Sequence, residues 1–96
     1  MAEITIQSET RHDRQWTFKA RIEDGGRKYD YTITLNWAEY NLWCEAGSVP
    51  PERVVKAALE FLLEREPASS ILSKFDCSVI RRYFPEVDEE LPKRIR

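Results

Sequence analysis

Ile4 and Ile6 alternate with Thr5 and Gln7 over residues 3–8, a period of two that predicts a half-buried strand. The alternation is longer over 15–23, where Trp16, Phe18, Ala20 and Ile22 take one parity and Thr17, Lys19 and Arg21 the other. It resumes over 28–36, with Tyr29, Tyr31, Ile33 and Leu35 set against Asp30, Thr32 and Thr34. Between these two segments lies Asp24-Gly25-Gly26, whose glycines supply the positive φ of a tight hairpin turn. Residues 11–14 are polar and read as the loop joining the first strand to the second. The three segments predict an antiparallel meander with one apolar and one polar face, the apolar face covered by helices from the second half of the chain.

After Asn36 the apolar spacing changes to three and four. Trp37, Tyr40, Trp43 and Cys44 fall on one side of a helix spanning about 37–46. Asn36 is its cap, Glu39 stands where it can reach back to Asn36, and Gly47 is a natural stop. Pro50-Pro51-Glu52 opens the main helix, about 51–65, which ends before Pro67. Where a serine or threonine cap is more usual, this chain has Pro50. Val54, Val55, Ala58, Leu59, Phe61, Leu62 and Leu63 are too many for one stripe. That helix is therefore expected to be packed on two sides, by the sheet and by the C-terminal segment. Ser69 and Ser70, ahead of Ile71, Leu72 and Phe75, suggest no more than a helical turn, and Asp76 caps a short helix over 77–84, closed by Pro85.

From Glu86 the chain is rich in charge and contains Pro92, so 86–96 reads as a flexible tail on a single domain spanning 1–85. The expected fold class is α+β: a three-stranded meander with helices on one face. Trp16, Phe18, Ile22, Tyr31, Ile33, Leu35, Val55, Ala58, Leu59, Leu62 and Phe84 form its predicted core.

Composition narrows this little further. A chain of 96 residues builds one core, and 42% apolar with 11% aromatic residues is too much for disorder. The net charge of −2 hides an uneven spread: six acids and six bases over 1–36, six against three over 37–66, five against six over 67–96. No block is basic enough for the positive stripe that a nucleic-acid binder presents. The uncharged apolar runs at 57–59 and 61–63 are far short of a membrane span. Residues 1–10 lack the pattern of a targeting segment. Two cysteines are few for a secreted domain of this size, and Cys44 and Cys77 read as reduced thiols of a cytoplasmic protein.

Candidate chemistry is sparse. A structural zinc site takes about four Cys or His ligands, and Cys44, Cys77 and His12 offer neither the number nor the spacing. No metal or cofactor is expected. His12 lies in the polar loop, and Cys77 follows a helix cap that could lower its pKa, but a buried small side chain is the simpler reading. Glu60 and Glu64 share a helix face, as a solvated helix end would. Gly25-Gly26 belongs to a hairpin, not to a phosphate loop. No catalytic residue is assigned, and the chain is expected not to be an enzyme.

Two surfaces remain. Trp37, Tyr40, Leu42 and Trp43 are hard to bury together in so short a helix, and exposed large aromatics mark protein interfaces. Arg14, Lys19, Arg21, Arg27 and Lys28 offer a weaker alternative, a nucleic-acid face on the polar side of the sheet. Sheets that bind single strands stack bases on aromatics, and here Trp16, Phe18, Tyr29 and Tyr31 have the core parity.

The run Leu59-Glu60-Phe61-Leu62-Leu63-Glu64-Arg65-Glu66-Pro67, then Ser70-Ile71-Leu72, Phe75-Asp76, Ile80 and Arg82-Tyr83-Phe84-Pro85-Glu86 resembles a family of small uncharacterised bacterial proteins. Those proteins share it after a variable strand-rich half. The resemblance covers about a third of the chain. It implies a bacterial, cytoplasmic protein and carries over no activity and no catalytic residue. Sheet-then-helix order is also similar in layout to small antitoxin-like and regulatory proteins, although layout does not determine function. The expectation is a non-enzymatic protein-binding or regulatory module, acting on a protein partner or on itself as a homodimer. A nucleic-acid-associated protein is the alternative, and a small enzyme of unknown substrate comes third.

Overall fold

The structure is a computed structural model that describes residues 2–95. Three ten-residue strands, β1 (Glu3–His12), β2 (Gln15–Asp24) and β3 (Arg27–Asn36), form the expected antiparallel meander. The β2–β3 hairpin closes through Gly25 and Gly26, both at positive φ, with Asp24 opposite Arg27. β1 is longer than its apolar alternation: the segment read as a loop continues the ladder to His12, and the turn shrinks to Asp13 and Arg14, with Asp13 in the left-handed region. A bulge at Gln7, between Ile6 and Ser8, shifts the register and hides the second half of the strand from a period-of-two reading.

The parity assignment holds. Trp16, Phe18, Ala20 and Ile22 of β2 and Tyr31, Ile33 and Leu35 of β3 are all buried. The helices α1 (Trp37–Trp43) and α2 (Pro51–Leu63) cover that face. Asn36 caps α1 as its position suggests, its side chain accepting the Glu39 N–H at 2.8 Å. Glu39 does not reach back to Asn36 but turns inward, to Arg81. Proline occupies the first position of α2 and no side chain caps the helix, as Pro50 requires. Val54, Val55, Ala57, Ala58, Leu59, Phe61 and Leu62 are buried, between the sheet on one side and the C-terminal helix on the other.

Beyond Pro67 the structure departs from expectation twice. A 3-10 turn (Ala68–Ser70) leads into β4 (Lys74–Asp76), which pairs parallel with β3 and makes the sheet four-stranded, in the order β1-β2-β3-β4. Three residues are too few to show a strand's alternation. A second 3-10 turn (Cys77–Val79) and the short α3 (Ile80–Tyr83) come next. The expected core holds except at Phe84, which is only half-buried against it.

Over its described residues, 86–95, the expected flexible tail is instead ordered and packed; residue 96 lies outside the described residues. Val87–Ile95 is a helix, α4, with Val87, Leu91 and Ile95 buried at intervals of four. Asp88, Glu89 and Glu90 lie in its first turn and Lys93 and Arg94 in its last, each sign at the end where the helix dipole favours it. The domain therefore includes this segment.

Candidate functional site

Beyond the end of α2 at Leu63 the chain turns away from the helix at Pro67 and leaves a groove before α3 closes the far side. Leu62, Ile71, Phe75 and Ile80 form its floor and walls, Leu72 and Tyr83 flank it, and its volume is about 180 Å³. Leu72 is 55% and Tyr83 67% exposed, the two most exposed large apolar side chains among the described residues. Glu66 is the charged residue that lines the groove. Both walls are pinned to the sheet. The buried Tyr31 hydroxyl donates to the Ala68 carbonyl at 2.6 Å, holding the 3-10 turn. Burial, with the charges of Tyr29 and Glu66 adding to it, pushes the Tyr31 phenol up to about 12. On the other wall Asp76 accepts from the Thr34 hydroxyl and from the Ser78 N–H at 3.0 Å. A groove with fixed walls and apolar lips can take up a partner's side chains without reorganising, which lowers the cost of binding.

The four residues of the first candidate interface are divided. Tyr40 and Trp43 are buried, while Trp37 is 49% and Leu42 46% exposed. Trp37 lies against Trp16 and Tyr40, with ring centroids 6.3 and 6.0 Å away. Five residues along α1, Leu42 points to a different side. The cluster is therefore mainly core, with one aromatic edge showing.

Trp43 ends in a polar network that the sequence did not suggest. Its indole N–H donates to Asp88 at 2.9 Å, and Arg81 bridges Asp88, at 3.0 Å, and the buried Glu39. Hydrogen bonding to both carboxylates raises the Arg81 pKa further despite burial, and the Arg81 guanidinium, with help from the Trp43 N–H, holds Asp88 below the usual carboxylate range. Three helices, α1, α3 and α4, are tied together at this point.

A wider hollow of about 380 Å³, of mixed polarity, lies by Leu42, Cys44, Ser48 and Asp88. Burial opposes ionisation of the Cys44 thiol, but hydrogen bonds from the Val49 and Ser48 backbone and the Ser48 hydroxyl outweigh it and hold the pKa below its ordinary value. Cys77, the thiol singled out by its place after a cap, is fully buried, and burial drives its pKa up. The negative charges of Asp76 and Glu39 push it the same way. His12 is exposed at the end of β1, not in a loop.

The basic residues proposed for nucleic acid are spread over the length of the sheet. Arg14 lies in the β1–β2 turn, Arg27 and Lys28 at the opposite end beside the β2–β3 turn, and Lys19 and Arg21 between. Arg21 is bonded to Asp30 at 2.7 Å, and Lys19 donates to Thr32 at 3.0 Å. The aromatics that could stack bases, Trp16, Phe18 and Tyr31, are buried on the other face.

Among the described residues no three His, Cys, Asp or Glu side chains converge as a metal site requires, and no helix is long and apolar enough to cross a membrane. No family model, no curated protein and no solved structure matches the chain.

Proposed function

We propose that this protein is a non-enzymatic protein-binding module whose groove beside α3 accepts large apolar side chains from a partner. One observation carries the reading: a preformed apolar groove flanked by the exposed Leu72 and Tyr83. Its size favours this over a small-molecule site, since such sites run to about 300–1,000 Å³ and this groove holds about 180 Å³. Glu66 at its edge suits a basic residue next to the partner's apolar anchor. The reading includes the cytoplasm of a bacterial cell, supported by the resemblance of the 59–86 run and by two free, buried thiols.

The test is a tagged pull-down from bacterial lysate, with and without nuclease, comparing wild type with Leu72→Glu and with Lys19→Glu. Both positions are exposed, so all three proteins should give the same circular dichroism spectrum. The expected result is a stoichiometric partner that survives nuclease, is retained by Lys19→Glu and is lost by Leu72→Glu. Partners that vanish with nuclease, or that Leu72→Glu keeps, would overturn the proposal.

A further inference from the structure

Among the described residues no strand neighbours the outer edge of β1, and the five residues from Ser8 to His12 are all exposed. An unpaired strand edge is a template for another strand, and charged residues along it normally block pairing. Here the charges discriminate between pairings. We propose that a second copy of this chain pairs with the first along this edge, the two β1 strands running antiparallel about a twofold axis at Thr10 and joining two four-stranded sheets into one of eight.

The register follows from the strand itself. The bulge at Gln7 bounds the regular segment on one side and the turn after His12 bounds it on the other, leaving Ser8–His12 with Thr10 at the centre. In an antiparallel pair of identical strands the residues facing each other must lie on the same face. The register that uses all five residues therefore sets Thr10 against Thr10, Ser8 against His12 and Glu9 against Arg11 of the second copy. By symmetry the Glu9–Arg11 pair forms twice. Neither residue takes part in an ion pair within its own chain among the described residues. Both lie on the helix-bearing face, opposite Phe18 and Trp16 of β2.

Neighbouring registers are penalised. Moving the axis to Glu9 sets Glu9 against Glu9, and moving it to Arg11 sets Arg11 against Arg11. Like charges directly opposite destabilise a strand pair, whereas opposite charges support it. The edge is therefore self-complementary in one register and repulsive on either side of it.

Five residues a side make less than a standard interface of about 1,200–2,000 Å², so a dissociation constant on the order of tens of micromolar is expected. The surface is distinct from the groove beside α3, so failure of either proposal leaves the other standing.

Light scattering coupled to size exclusion over a concentration series tests this, with charge reversals as variants. Wild type is expected to approach twice the chain mass of 11.4 kDa as concentration rises. Glu9→Arg and Arg11→Glu should each weaken association at least about tenfold, and the double swap Glu9→Arg/Arg11→Glu should restore it. All three replace exposed side chains, and unchanged melting curves would show that they fold. Under mild oxidation Thr10→Cys should give a covalent dimer, because facing residues of an antiparallel pair lie within disulfide reach. A wild type that stays monomeric at about 0.5 mM, well above the expected range, would overturn the proposal. So would single reversals that leave the dimer intact, a swap that fails to rescue, or a Thr10→Cys protein that does not cross-link.

Discussion

Two arginines with similar partners sit in opposite settings. Arg21 lies across the solvated face of the sheet from Asp30, a 2.7 Å pair between side chains 34% and 63% exposed. Arg81, on α3 and itself 31% exposed, bridges Asp88 and Glu39, and Glu39 is the buried charged residue of the core. Water can replace any hydrogen bond the first pair loses and salt screens its attraction, so it contributes little to stability. The second cannot be opened without leaving a carboxylate in the interior. The same two residue types are surface decoration in one place and a clamp on three helices in the other, and what separates them is the burial of the acid.

The sharpest way to break this comparison is to ask whether the clamp or the apolar packing beside it holds α4 in place. Leu91 is fully buried on the inner side of that helix. Leu91→Ala should cost about 3–4 kcal/mol from lost burial plus the cavity left behind. Urea unfolding read by tryptophan fluorescence would measure it. A loss below about 1 kcal/mol would mean that α4 rests mainly on its charges.

Arg81→Ala should come next, at about 2 kcal/mol, below the ~3–5 of a fully buried pair because Arg81 is 31% exposed. It also has a pH signature. Asp88 is held below its ordinary pKa chiefly by the Arg81 guanidinium. Its contribution is therefore present above the unfolded value, near pH 4, and is lost as pH falls through the lower folded value. Removing Arg81 should flatten the acid limb of the stability curve. An unchanged slope below pH 4 would show that other carboxylates set it.

How legible this was from sequence depends on how far apart the participating residues are. The sheet could be read because each strand of the meander carries its own alternation, and Trp16 to Ile22 and Tyr31 to Leu35 needed no knowledge of their partners. β4 and α4 were not read, for two reasons. Lys74–Asp76 is too short to carry a period. In α4 the three apolar residues at spacing four are outnumbered by charge and interrupted by Pro92, and their burial depends on α2 being there to receive them. The clamp joins residues 42 positions apart in sequence, and the Trp43–Asp88 bond joins residues 45 apart, so no local pattern encodes it. The groove was half visible: Leu72 stands in the link between the 3-10 turn and β4, and Tyr83 in a helix of four residues, neither able to bury a large apolar side chain, a signal that the aromatic excess of α1 overshadowed.

Tyr31 links the readable half to the unreadable one, since its hydroxyl holds Ala68 at the start of the groove. Burial keeps its phenol protonated to about pH 12. The stabilising contribution is intact below the ordinary tyrosine value near 10 and is lost as pH rises toward 12. An ultraviolet titration should therefore show Tyr31 giving a late step as the fold gives way, beside the Tyr40 phenol, whose pKa burial also raises. Tyr31→Phe should remove that late step and cost about 1 kcal/mol through the unsatisfied Ala68 carbonyl.

The smallest effect is the most informative about the outer face. Arg21 and Asp30 face each other across β2 and β3, and the bond to Asp30 raises the Arg21 pKa while the same bond lowers that of Asp30. Such shifts look like stability, but both groups are solvated, and each keeps its hydration when the pair opens. Arg21→Ala should shift the urea midpoint by no more than replicate scatter, at low salt and at high salt alike. A clear loss at low salt that disappears at high salt would mean that the polar face carries a charge network with real cohesion. Arg21 would then belong with Arg81, and burial of the acid would not be what separates them.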